Sequence, residues 1–150
     1  MKDASHYQVK FIDAARTYEV RHPVLREGLP LSSCIFEGDD DPGTFHLGVF
    51  DGDRLAGVVT LLERNNPVFD VHRQFQLRGM AVMPEYRGER LGYRLVRAAE
   101  EEVMRRSGSF IWMNARKVAI GFYEHIGYAI TGEEFLIETA GPHYLMSRFL

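Results

Sequence analysis

Residues 80–93, MAVMPEYRGERLGY, run from an apolar strand end through Pro84 into a turn with Gly88 and Gly92, then into a periodic apolar stretch. A helix opening straight from such a turn leaves its first backbone N–H groups without internal acceptors. Those groups, and the positive end of the helix dipole, favour an anion. The junction reads either as a seat for phosphate or pyrophosphate, or as glycines that only ease chain packing. G-x-G-x-x-G does not fit, since Gly88 and Gly92 are four apart and the acidic ribose partner is missing. A P-loop would need Gly-Lys-Ser/Thr at its end.

Four further residues invite chemistry. Arg78 stands inside an otherwise apolar strand, where a guanidinium costs free energy unless an anionic ligand or an internal carboxylate pairs with it. Arg116 follows a buried strand at the sheet's carboxyl end, a usual place for ligand groups. His143 precedes the last strand and is either a proton carrier or a ring that caps a turn. Tyr123, four residues after Ala119 on a helix, is either core or catalyst. The same two-way reading applies to Arg90, Arg94 and Arg97, as phosphate contacts or a solvated helix face. His6, His22, His46, His72 and His125 have no comparable context, and Cys34 reads as a small core residue.

The elements that must position these groups are legible in outline. Tyr7–Ile12 reads as a strand, with Asp13 capping a helix that Pro23 disturbs or ends. Residues 44–50 and 54–63 are β-branched and apolar, and Asp51-Gly52-Asp53 between them signals a hairpin. A strand over 74–82 carries Gly79, which marks a bulge or a close backbone approach. Leu91, Leu95, Ala99 and Val103 then recur every fourth residue with Val96 beside them, a helix stripe. Arg97–Glu101 and Glu101–Arg105 are expected (i, i+4) pairs on its outer side, and Ser107-Gly108 ends it. A short strand over 110–114, a helix over 117–126 closed by Gly127, and strands near 128–136 and 144–149 follow. The order β, α, β, β, β, α, β, α, β, β predicts a mixed α/β domain, antiparallel in front with a crossover βαβ behind. A ferredoxin-like α+β arrangement is the alternative.

Composition bounds the rest. The 150 residues suit one domain, 1–150, with a core that needs no staples. One cysteine excludes an internal disulfide framework and fits a reducing compartment. The opening MKDASHYQVK has no apolar h-region, and no apolar run is long enough to span a bilayer. A cytoplasmic protein is the expectation. A net charge of −3 argues against a general nucleic-acid or anionic-membrane binder. Of the 18 basic residues only Lys2, Lys10 and Lys117 are lysine; the arginine excess suits planar grip on phosphate and carboxylate, or reflects compositional drift.

V82-x-P-x-x-R-G-x-R-L-G92 resembles the acetyl-coenzyme A signature of the GNAT N-acetyltransferase superfamily, Arg/Gln-x-x-Gly-x-Gly/Ala, with Arg90 where the middle glycine is usual. F122-Y-E-H-I-G-Y128 resembles the family's second signature. T17-Y-E-V-R-H22, L25-R26, C34-x-F-E37, F45-H-L-G48, Q76-L-R-G-M-A81, N114-A-R116 and G141-P-H-Y-L-M146 together resemble the glyphosate N-acetyltransferase group, in which that middle glycine is also replaced by a basic residue. Residues 63–74 and 129–140 match less well, and selectivity is expected to differ through them.

The resemblance implies a GNAT fold, a mixed and mostly antiparallel sheet flanked by helices, with acetyl-CoA as cosubstrate and no metal. It implies that Met80, Ala81 and Val82 pair with the pantetheine arm. Arg87, Gly88, Glu89, Arg90, Leu91, Gly92 and Tyr93 would form the pyrophosphate turn. Tyr123 would protonate the departing thiolate, His143 would take the proton of the acceptor amine, and Arg26, Arg78 and Arg116 would bind an acidic acceptor. These types suit the chemistry: an amine must be deprotonated before it attacks, and imidazole titrates near pH 6.5. A backbone N–H at Gly79–Met80 is placed to meet the developing oxyanion. Transfer would be direct, without an acyl-enzyme. The alternatives are a GNAT enzyme for another amine, such as an aminoglycoside or a protein terminus, and a non-catalytic acyl-CoA sensor. Monomer and homodimer stay equally open.

Overall fold

The structure, a computed structural model, describes residues 6–150. The first five residues of the opening segment read above lie outside it. Strand β1 (Tyr7–Ile12) leads into α1 (Ala14–Leu25), whose N-cap Asp13 accepts the Arg16 N–H at 2.9 Å. Pro23 does not stop α1 at once. The helix runs two residues beyond it, and the Arg26 N–H closes it on the carbonyls of Arg21 and His22. The proline is solvent-exposed, and its missing donor forfeits one bond, that to the Glu19 carbonyl, close to where the helix ends in any case.

A short 3₁₀ turn (Leu31–Cys34) precedes β2 (Phe45–Asp51) and β3 (Arg54–Glu63). Asp51 pairs with Arg54, so the hairpin loop is Gly52-Asp53, with Gly52 at φ 59°. Glycine at the first central position is the type II′ pattern, whereas the sequence had drawn attention to Asp51-Gly52. Nearly every residue of β2 and β3 is buried, because both faces of these strands are covered; hence continuous apolar runs instead of alternation.

Strand β4 (Phe75–Val82), a 3₁₀ turn (Pro84–Tyr86) and α2 (Leu91–Arg105) follow, then β5 (Phe110–Arg116), α3 (Ile120–His125), β6 (Ala129–Ile137) and β7 (Gly141–Phe149). The α2 stripe is as expected: Leu91, Leu95, Val96, Ala99 and Val103 are all buried, each large side chain contributing roughly 1.5–3 kcal/mol. The outer face differs. Arg97 pairs with Glu100, one residue before the expected Glu101, because Glu100 is itself buried and takes the guanidinium. Ser107, at φ 67°, supplies the left-handed residue that ends the helix.

The strands form a seven-stranded mixed sheet in the order β1-β2-β3-β4-β5-β7-β6, which replaces the ferredoxin-like alternative. The β1–β2, β2–β3, β5–β7 and β7–β6 ladders are antiparallel; β4 and β5, whose ladder includes Phe75↔Ile111 and Gln76↔Trp112 and which α2 joins by a crossover, are parallel. Two compact units are interleaved along the chain. The first comprises the described residues up to Leu62 together with Leu77–Glu102; the second comprises Glu63–Gln76 and Val103–Leu150. In the first, Val20, Phe50, Leu55, Val58 and Ala81 form a buried cluster. In the second, Phe110, Trp112 and Leu145 do so, and the Trp112 Nε1–H is satisfied by the Arg64 carbonyl at 2.8 Å.

Candidate active site

The turn before α2 is held from below by Tyr86. Its buried ring ends in a hydroxyl that donates to Asp51 at 2.5 Å, and that bond, with burial, raises the phenol above its ordinary value. Two residues on, Gly88 takes φ 88°, and Arg90 takes φ 62° immediately before the first residue of α2. A left-handed arginine costs roughly 1–2 kcal/mol relative to glycine, which gives a physical reason for the glycine usual at that point of the signature. Arg94 is the first N–H to bond back, to the Arg90 carbonyl at 3.2 Å. The N–H groups of Leu91, Gly92 and Tyr93 therefore have no intrahelical acceptor. Gly88 is exposed, and nothing lies within 4 Å of where a Cβ would stand. Room, a left-handed glycine and unpaired helix-start donors suit a pyrophosphate. Beside α2 lies a groove of about 510 Å³ lined by Arg90, Arg94 and Arg97 together with Glu89 and Glu101, so its charge is mixed.

In β4, Gly79 takes φ 60°, and an added Cβ would stand 3.1 Å from Phe36 and 3.2 Å from the Arg21 Nε. The close backbone approach expected there is present. Ala81 beyond it is buried and Met80 and Val82 are half-buried. Arg78 and Arg26, 52 positions apart in numbering, meet at one ring: their guanidinium carbons lie 4.8 and 5.1 Å from the Phe36 centroid. Both are half-buried.

The second unit brings Arg116 and His143 together. They are opposite residues of the β5–β7 ladder, and His143 is also opposite Phe135 across β7–β6. Opposed residues of an antiparallel pair project on the same face. His143 thus lies inside β7, correcting the expectation that it precedes the strand. The strand begins at Gly141 because Pro142 falls just beyond the last β5 partner, where no donor is needed. The His143 ring is 5% exposed and its Nδ1 lies 2.8 Å from the Gly141 carbonyl. A carbonyl only accepts, so Nδ1 carries a hydrogen, and in the neutral ring the lone pair is on Nε2. This is the turn-tying contact that the sequence allowed for. Tyr123 packs beside Phe122 and Tyr128, and burial pushes its phenol well above the ordinary value, so it stays protonated. Among the described residues no cluster of His, Cys, Asp or Glu gathers to hold a metal ion, and no helix is long and apolar enough to cross a membrane.

Residues 10–128 match the acetyltransferase (GNAT) family. The chain belongs to that family. The uncharacterized N-acetyltransferase YitI of Bacillus subtilis (strain 168) is 33% identical over 143 residues, covering 95% of this chain and 96% of that protein. An aminoglycoside 6'-N-acetyltransferase solved with coenzyme A shares the fold at a TM-score of 0.74 and 18% identity, covering 95% and 96% of the two chains. The ribosomal-protein-S18-alanine N-acetyltransferase of Escherichia coli does so at 0.70 and 15%, covering 94% and 92%. This GNAT chain is accordingly an N-acetyltransferase. Two such different acceptors on one fold mean that the acceptor must be argued from side chains.

Sequence reasoning missed one part of this acetyltransferase. Arg21, wholly buried, donates from Nη1 to Asp39 at 2.7 Å and to the Cys34 carbonyl at 2.8 Å, and from Nη2 to Asp39 at 3.0 Å and Thr60 at 2.8 Å. Asp39 also accepts the Phe36 N–H at 2.9 Å. Thr60 and His46 continue the circuit: the hydroxyl donates to Nδ1 at 2.7 Å, and Nε2–H donates to the Asp39 carbonyl at 2.9 Å. Burial alone would raise the Asp39 carboxyl, but the bonds from Arg21 and Phe36 outweigh it and hold it below the usual carboxylate range. The available signal was the helix stripe, since Thr17, Val20 and Arg21 share the buried side of α1.

Proposed function

We propose that this acetyltransferase carries an acetyl group from acetyl-CoA directly to the amine of a small acidic acceptor, of the phosphonate-, phosphate- or dicarboxylate-bearing amino acid type. The resemblance to the glyphosate N-acetyltransferase group supports the acceptor class. The observation that carries it is the meeting of Arg26 and Arg78 at the Phe36 ring. Like charges gathered at one ring are favoured by an anion that neutralises them. Arg116, beside His143 in the ladder, is the third anion-binding group of this reading.

Acetyl-CoA supplies an activated thioester. Residues from Arg87 to Tyr93 (Arg87, Gly88, Glu89, Arg90, Leu91, Gly92, Tyr93) would hold its pyrophosphate through backbone N–H groups, and Met80, Ala81 and Val82 would pair with its pantetheine arm. Nε2 of His143 takes the proton that the amine must lose before attack. A backbone N–H at Gly79–Met80 meets the oxyanion. Tyr123, kept protonated by burial, returns a proton to the leaving sulfur. Free-thiol release measured over acidic, neutral, aminoglycoside and peptide amines tests the reading. Acidic amines are expected to give the highest kcat/KM. Preference for an aminoglycoside or a peptide terminus would overturn the acceptor class, and tight coenzyme binding with no turnover would favour the sensor alternative.

A further inference from the structure

Three guanidinium carbons surround one phenylalanine. Arg21 lies 3.9 Å from the Phe36 centroid, Arg78 4.8 Å and Arg26 5.1 Å. Arg21 is fixed by four hydrogen bonds to Asp39, Cys34 and Thr60, and Asp39 is in turn committed to Arg21 and to the Phe36 N–H. Its Nε is buried without a hydrogen-bond partner and lies 3.2 Å from where a Gly79 Cβ would stand. The guanidinium is therefore held against both the ring of Phe36 and the left-handed backbone of Gly79. One buried ion pair fixes the ring at which Arg26 and Arg78 meet, and the same pair braces the residue next to Met80.

We propose that Phe36, locked by the Arg21–Asp39 pair, is a positioning residue that sets acceptor affinity by orienting Arg26 and Arg78, with Arg21 also bracing the Gly79 kink. The ring offers an electron-rich face to guanidinium groups and a flat surface that limits their rotamers. Leucine at position 36 would keep the bulk and the backbone N–H to Asp39 but remove both properties. This inference rests on the acidic-acceptor reading and adds the means by which its two arginines are aimed.

The test compares Phe36→Leu, Arg21→Lys, Gly79→Ala and Arg78→Ala with the parent enzyme. The readouts are acceptor KM for an acidic amine and for its neutral amide analogue, acetyl-CoA KM, kcat and melting temperature. Phe36→Leu is expected to raise acidic-acceptor KM about tenfold while neutral-acceptor and acetyl-CoA KM stay within about twofold. Gly79→Ala is expected to lower kcat as well, since a Cβ there must displace Arg21 or Phe36. Arg21→Lys keeps the charge beside Asp39 but not the planar fork, so it should move acidic-acceptor KM in the same sense as Phe36→Leu. A lower melting temperature with an unchanged ratio of acidic to neutral KM in both Phe36→Leu and Arg21→Lys would overturn the proposal and leave a purely structural role. If Arg78→Ala leaves the ratio unchanged as well, the acidic-acceptor reading itself fails. If Arg78→Ala moves it and Phe36→Leu does not, only the platform fails.

Discussion

Arg26 and Arg78 in one unit, and Arg116 and His143 in the other, are positioned by different physics. The first pair meets through side chains: a phenylalanine ring, a buried arginine behind it, and a carboxylate behind that. The second pair is fixed by backbone register, as opposed residues of one antiparallel ladder. Side-chain relays are exact only while each member keeps its shape, whereas a ladder tolerates changes in neighbouring side chains as long as the strands pair. Substitutions away from the reacting groups should therefore be felt in the first region and largely absorbed in the second.

The largest effect belongs to the ladder-held region and to the reacting group itself. His143→Ala should lower kcat by ~10²–10⁴-fold with acetyl-CoA affinity nearly unchanged. Initial rates from pH 5 to 9 check it, since the acid limb of the profile, where a general base is silenced by protonation, should disappear; an unaltered limb would remove His143 from the base role. Next come the arginines. Arg78→Ala or Arg116→Ala should each raise acidic-acceptor KM, a lost charged contact being worth about 1.5–3 kcal/mol. The comparison sharpens if the Arg78 contribution, but not that of Arg116, is also lost on substituting the ring that Arg78 rests on, as in Phe36→Leu.

A smaller effect appears in the acid range. The folded Asp39 carboxyl titrates below its unfolded value of about 3.9, so the unfolded chain binds more protons between the two values. Its stabilising contribution is complete above about pH 4 and is lost as pH falls through the folded pKa. Melting curves from pH 7 to 3 should stay level in this respect down to about pH 4 and then decline, less steeply in Asp39→Asn. The smallest effect is at the turn: Arg90→Gly should relieve the left-handed strain at φ 62° and raise the melting temperature by ~2–4 °C. An unchanged or lower melting temperature would show that Arg90 is held there by compensating contacts.

What could be read in advance followed the range of the interaction. The stripe from Leu91 to Val103, the order of elements along the chain and the close approach at Gly79 are local signals, and each has its expected counterpart in the fold. The last strand starts at Gly141 and not near 144 as expected, because the pairing that carries His143 opposite Arg116 is not visible in the sequence. Arg97 chose Glu100 over Glu101 because burial of Glu100 is a property of packing. The Arg21 circuit joins residues 18 and 39 positions apart, so no periodicity contains it. Cys34 proved to be the small buried residue expected, yet its carbonyl is one of the acceptors holding Arg21. The sequence raised the question of a buried partner at Arg78, whereas the buried pair of Arg21 and Asp39 in the same unit gave no such signal.

The acceptor class is the central claim, and one ratio tests it most directly. The kcat/KM for a phosphonate- or dicarboxylate-bearing amine is divided by that for its neutral amide analogue, in the parent enzyme and in Arg78→Ala. The account requires a ratio well above one that falls at least tenfold in the variant. A ratio near one in the parent enzyme, or one that Arg78→Ala leaves unchanged, would contradict it.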